Sequence, residues 1–237
     1  MVLLLLTEPP FLEPEEKGTI TFTIGDLFEI YNGVIEERHL PIVAENNSDL
    51  NFIRINSFTE NGVLHDKIRL RELQELHTNK REDNFKKLPD KKPINEKKKL
   101  RNSDYIIYTR GMPRGFSMLK SEIDDNLNVV ATHQFICLKP RTNIIEVYLP
   151  YLHLVMDLFV DRDLKKIYES KLKLNGEKYG IFNSIGIKEI KDIEITILKL
   201  VDGQRKAYEK YDQRIQESEM ATYHLKMIKD LIYGNYY

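Results

Sequence analysis

From Asp202 to Gly234 the chain carries a helical pattern that it cannot satisfy alone. The first half of this segment is polar, with Tyr208, Tyr211 and Ile215 as its apolar positions. The second half is richer, with Ala221, Leu225, Ile228, Leu231 and Ile232. Spacings of three, four and seven recur, which predicts an amphipathic stripe along one long helix. An isolated helix is marginal in water and needs tertiary packing of its apolar face. This one must dock on its own domain or pair with another chain, and the pattern alone leaves both open.

The residues before it read differently. TITFTI alternates as a strand, and GDLFEIYNG predicts a helical turn at Asp26–Phe28, then a brief strand ending at Asn32-Gly33. NFIRINSF also alternates, grouping Phe52 with Arg54 and Asn56, and Ile53 with Ile55 and Ser57. Leucines at 70, 73 and 76 predict a helix over residues 66–80. DYIIYTRG, GFSML, NVVA, HQFICLKP and DIEITIL read as further strands. Two helical pieces fall between, over 144–159 and 163–173. The expected organisation is α+β: an N-terminal extension over 1–18, a mixed domain of short strands and peripheral helices over 19–200, and the long helix over 201–237.

Composition narrows the chemistry. With 237 residues, 41% of them apolar, the chain can bury a substantial core. Its formal net charge is −1, but charge is unevenly placed. Residues 80–101 hold ten Lys or Arg against four acids, beside Pro89 and Pro93. One cysteine, Cys137, sits in the apolar run FICL and reads as a small buried hydrophobe, which excludes an internal disulfide. MVLLLL lacks a basic segment before it and is short for a secretion signal, and no run reaches membrane-span length. A cytoplasmic protein with no membrane partner is expected.

The N-terminal VLLLLTEPPF resembles the loop that an amino-methyltransferase places under the amine it methylates. Glu8 stands where Asn or Asp is usual, and no glycine-rich turn exists for a methyl-donor cofactor. The stretch reads instead as an apolar anchor followed by a stiff proline lead. The six histidines show no metal-ligand spacing, and no nucleophile elbow or phosphate loop occurs. No metal or cofactor is expected. A nuclease built from scattered carboxylates stays open.

The most informative stretch is YIIYTRGMPRG. A strand there runs into Arg110, and two glycines and a proline surround Arg114. The chain can turn tightly and present two guanidinium groups, which fork onto guanine or clamp a phosphate. Lys86, Lys87, Lys91 and Lys92 form a phosphate-seeking flap that attracts the DNA backbone without reading sequence. Asn56 and Ser57 add short polar groups near Arg54, and His133 precedes the FICL strand. These ten residues are the candidate DNA contacts.

The order of GDLFEIYNG, NFIRINSFTENG, LRNSDYIIYTRG, VVATHQFICLKP, IIEVYLPYLHLVM and SIGIKEIKDIEITIL resembles the specificity subunit of type I restriction-modification systems, with Gln204 matching a glutamine before a long helix. The family carries two target-recognition domains and two long helices, whereas this chain has room for one of each. The resemblance therefore implies a half-length form. It implies a non-catalytic subunit that reads half of a bipartite target on double-stranded DNA. It also implies a homodimer pairing through its helices, here at Tyr211, Ile215, Leu225, Ile228 and Ile232. A methyltransferase subunit would bring S-adenosylmethionine, and a restriction/translocase subunit would join. The alternative is a stand-alone DNA-binding or anti-restriction protein built on the same domain.

Overall fold

The computed structural model describes residues 18–35, 50–59, 64, 67–69, 95–110, 112–121, 123, 128–141, 147–175 and 185–233; side chains at 68, 69, 159–161, 172–175 and 222–233 are not described. The sequence-predicted extension up to residue 17, Lys86, Lys87, Lys91 and Lys92 lie outside these residues. The chain divides into two compact units. The larger comprises Thr21–Ile145 and Val155–Ile195; the smaller comprises Met1–Ile20, Glu146–Leu154 and Thr196–Tyr237.

The elements are mixed, as expected for an α+β chain. In order they are β1 (Thr19–Thr23), α1 (Ile24–Leu27), β2 (Phe28–Asn32), β3 (Leu50–Ile53), β4 (Ile68–Arg69), β5 (Tyr105–Tyr108), β6 (Arg114–Ser117), β7 (Asn128–Ala131) and β8 (Phe135–Pro140). Then come α2 (Leu149–Val155), a π-helical turn (Met156–Val160), α3 (Asp161–Asn175), α4 (Ile187–Lys191), β9 (Glu194–Leu198) and α5 (Val201–Tyr233). Among the described residues the strands form three sheets, ordered β2-β8-β5-β6, β4-β3-β7 and β1-β9.

Strand β8 lies inside its sheet, antiparallel to both β2 and β5. Its residues Phe135–Leu138 are all buried, which explains why FICL is continuously apolar rather than alternating. The same holds for Tyr105–Ile107 of β5. Ile53, Leu100, Ile106, Phe116, Met118, Ile123, Val129, Ala131, Phe135 and Cys137 make one core cluster. Each large apolar side chain buried there contributes about 1.5–3 kcal/mol. Burial pushes the Cys137 thiol well up, so it stays protonated and inert, in keeping with its reading as a core hydrophobe.

Two local readings of the sequence change. Strand β3 stops at Ile53, and Ile55–Ser57 form a 3-10 turn rather than continuing the alternation. The Ser57 hydroxyl accepts the Arg54 N–H at 3.1 Å and draws the chain out of the ladder. Within the helix expected over 66–80, Ile68–Arg69 is a strand, paired antiparallel with Asn51 and Phe52. The remainder of that expected helix over 70–80, with its three leucines, lies outside the described residues. The Asn32-Gly33 step also does more than end β2. Gly33 N–H bonds to Phe135 O at 3.0 Å and Val34 N–H to Ala131 O at 2.9 Å. A β-carbon on Gly33 would collide with Thr132 O, so only glycine permits this close approach.

The smaller unit is organised around Gln204, which is fully buried. Its Nε2 donates to Leu198 O at 2.6 Å, and its Oε1 accepts from Tyr148 N–H at 2.8 Å. The Tyr151 hydroxyl accepts from Leu198 N–H at 3.2 Å, and Tyr148 packs edge-on against Tyr208. These contacts fix the first turns of α5. From Gln213 to Ala221 every described side chain is exposed, including Ile215 and Met220.

Replacing Gln204 by Met keeps the bulk but strands two backbone groups. Each unsatisfied buried group costs about 1–3 kcal/mol, so urea unfolding should show a loss of roughly 2–6 kcal/mol. The Tyr148 amide should lose hydrogen-exchange protection in the same variant.

Glu189 offers a pH test. Its carboxylate accepts Gly186 N–H at 2.7 Å and pairs with Lys171. Partial burial raises its pKa, but these partners outweigh that and hold it below 4.5. The folded value lies below the unfolded one, so the stabilisation is complete above about pH 4.5 and fades as pH falls through the folded value. Glu189→Gln should cost about 0.5–1 kcal/mol at pH 7 and progressively less toward pH 3, measured as the difference in unfolding free energy.

Candidate nucleic-acid interface

Three turn segments of the larger unit carry the candidate contacts described by the structure. The first follows β3. Arg54 caps the turn Ile55–Ser57, with Ser57 N–H bonded to Arg54 O at 2.9 Å. Asn56 is exposed and Arg54 half-buried. Ile55 and Phe58 on either side pack on the core, so the polar residues are held between two apolar anchors.

The second is the β5–β6 hairpin. Its strands pair in register from Tyr105↔Ser117 to Tyr108↔Arg114. Arg110 and Arg114 are exposed, as is Met112, whereas Pro113 is buried. The Arg114 guanidinium lies 5.2 Å from the Phe116 ring centroid, a cation–π geometry that limits its wandering. Arg110 has no hydrogen-bond or ionic partner among the described residues. Gly115 lies under the Tyr105 ring, whose hydroxyl would collide with a β-carbon there. That hydroxyl donates to Asp157 at 3.0 Å, and Asp157 also pairs with Lys120.

The third is the turn between β7 and β8. Phe135 N–H bonds to Thr132 O at 3.0 Å, closing a four-residue turn with His133 and Gln134 at its centre. His133 is half-buried, and its Nδ1, like Thr132 Oγ1, is buried without a hydrogen-bond partner among the described residues.

This third turn joins the other two. Thr132 N–H bonds to Ile53 O at 3.1 Å, at the root of the first segment. Gln134 O accepts from both Thr109 N–H and Thr109 Oγ1, at 3.0 and 3.1 Å, at the root of the second. Beneath them the rings of Phe58 and Phe116 stack at 4.1 Å, and Tyr108 and Phe135 meet edge-on at 5.6 Å. Phe58 thus ties the first segment to the second directly.

Arg54, Asn56, Arg110, Arg114 and His133 are therefore carried on segments that meet, although they are up to 79 positions apart in sequence. Ser57 belongs to the same place but is buried, with its hydroxyl accepting the Arg54 amide. It shapes the turn that displays Arg54 and Asn56. The sequence reading missed Thr109, whose hydroxyl is a hairpin anchor, and Phe58, the aromatic tie. An aromatic immediately after a polar turn was the signal for the latter. Among the described residues no group of three His, Cys, Asp or Glu is placed to hold a metal ion.

The mixed helix-and-strand fold is like that of type I restriction-modification specificity subunits. It is similar to the HsdS subunit from Thermoanaerobacter tengcongensis, with a TM-score of 0.51 at 16% identity over 90% of this chain and 40% of that one. The S subunit of the M. genitalium type I restriction-modification system aligns with a TM-score of 0.44 at 14% identity, over 92% of this chain and 46% of that one. A structure concerned with complex assembly and conformational transition of the type I system aligns at 0.48 and 13%, over 94% and 49%. The chain thus spans less than half the length of each of these proteins. No family model and no curated protein matches the sequence.

Phe58→Ala removes the ring that ties two segments together and should cost about 2–3 kcal/mol. Ser57→Ala removes one capping acceptor and should cost about 1 kcal/mol. Urea unfolding of both variants checks this order, and equal losses would mean that the ring contributes no more than the cap.

Proposed function

We propose that this chain is the sequence-specific DNA-recognition subunit of a type I restriction-modification complex and reads one half of a bipartite target. The observation that carries the proposal is the meeting of three turn segments bearing Arg54, Asn56, Arg110, Arg114 and His133. The fold similarity supports it. Arginine on a strand-anchored hairpin suits forked readout of guanine in the major groove, where each base pair shows a distinct donor and acceptor pattern. Lys86, Lys87, Lys91 and Lys92 supply phosphate attraction that is indifferent to sequence.

The recognition domain spans 19–200, with the segment before it an extension. Its subunit carries no catalytic centre. The methyltransferase subunit binds S-adenosylmethionine and flips the base. A restriction/translocase subunit joins the assembly. A helix of 33 residues is about 50 Å long, and two copies paired antiparallel would set the separation of two half-sites. The pairing positions are Tyr211, Ile215, Leu225, Ile228 and Ile232. Tyr211 is half-buried and Ile215 is 40% exposed. The mass of the native complex tests the assembly: two copies of this chain, or one beside another specificity subunit, together with a methyltransferase. A clean protein with no methyltransferase when one is present would favour a stand-alone DNA-binding or anti-restriction protein.

Readout is tested with target and single-mismatch duplexes. Arg110→Ala or Arg114→Ala should reduce discrimination by about 1–3 kcal/mol, because an arginine fork is lost. Equal loss on matched and mismatched DNA would remove that residue from the reading surface. Replacing the four lysines by Ala should instead weaken all duplexes alike and flatten the dependence of affinity on salt.

A further inference from the structure

The reading surface described above leaves one side chain unused. Met112 stands at the tip of the β5–β6 hairpin and is 60% exposed. Met118 and Met156, by contrast, are fully buried. Pro113 beside it is also buried, so among the described residues of the hairpin tip Met112 is the one projecting apolar group. Leaving it in water gives up the stabilisation that its burial would supply.

Its surroundings indicate what it is for. Arg110 precedes it by two residues and Arg114 follows it by two, both exposed. The base of the tip is held on both sides: Thr109 by its two bonds to Gln134 O, and Arg114 by its register with Tyr108. The tip is therefore a slender, unbranched apolar finger between two cations on a braced hairpin. A ligand that fits has anionic charge along its outside and a stack of flat apolar surfaces within. Duplex DNA has both.

We propose that Met112 is a wedge that enters a base step within the half-site, unstacking it and kinking the duplex while Arg110 and Arg114 engage the DNA on either side. Met is among the side chains suited to this, being long, polarizable and unbranched. This rests on the DNA-recognition reading and deepens it, because it adds specificity that no base-edge hydrogen bond supplies. Pyrimidine–purine steps unstack most easily. The wedge therefore selects a half-site with such a step under the hairpin tip. Contact with a thymine methyl would use the same side chain without opening the stack.

The test uses the full chain with its methyltransferase partner and a target duplex selected from random sequence. 2-Aminopurine, whose fluorescence rises when it is unstacked, is placed at each half-site position in turn. Apart from the base that the methyltransferase flips, the wild type should produce a clear rise at one step. Met112→Ala should abolish it and weaken binding roughly ten-fold, while Met112→Leu should restore it. Replacing the flexible step by a stiff one should weaken the wild type but leave the Met112→Ala variant nearly unchanged. Selective binding with no rise at any position other than that flipped base overturns the wedge alone. So does a rise at the second step that survives in Met112→Ala, or a loss of affinity on replacing thymine by deoxyuridine with stacking undisturbed. If the wild-type complex selects no duplex from the pool, the DNA-recognition reading fails and the wedge with it.

Discussion

One peptide turn, Thr132–Gln134, holds the larger unit's polar end together. Its first amide binds the end of β3 and its last carbonyl binds the start of the hairpin loop. Neither bond involves a side chain that reads as special in the sequence, apart from the Thr109 hydroxyl. Both bonds are backbone groups that must be satisfied once buried, and each finds its partner in a segment distant along the chain. The aromatic cluster beneath supplies most of the stabilisation, and these bonds fix the register. Gly33 adds a further constraint from the opposite side, where its missing side chain lets the chain run against Ala131 and Thr132.

Much of this fold was legible in the sequence, and the legible parts share a cause. YIIY, NVVA and FICLKP are strands because their apolar content matches burial within a sheet. Their assignment follows from side chains alone. The misread parts depend on partners elsewhere. Ile68–Arg69 becomes a strand only because β3 offers an edge, and the chain leaves β3 after Ile53 because the Ser57 hydroxyl competes for the Arg54 amide. Periodicity carries no trace of either competitor. For the candidate interface, the arginines stood out because glycine and proline surround them. Thr109 and Phe58 did not, since their importance lies in what they touch.

The two units differ in how they meet solvent. In the larger one, the candidate contacts are displayed on turns braced by an apolar cluster. In the smaller one, the start of α5 is locked by Gln204 through two backbone groups, and the residues over 213–221 are exposed on all described sides. One end of that helix is thus defined by internal bonds, while the adjoining stretch has solvent as its surroundings.

Gly115 has a consequence for how such a chain can change over generations. The Tyr105 ring occupies the space of its missing β-carbon, and that ring is tethered to Asp157. Any other residue at 115 would push the ring aside and disturb the anchor. The tip between Thr109 and Arg114 is under no such restraint, because its described side chains other than Pro113 project outward. The hairpin therefore combines a base that tolerates little variation with an end that tolerates a great deal. A lineage could rewrite the tip without rebuilding what holds it.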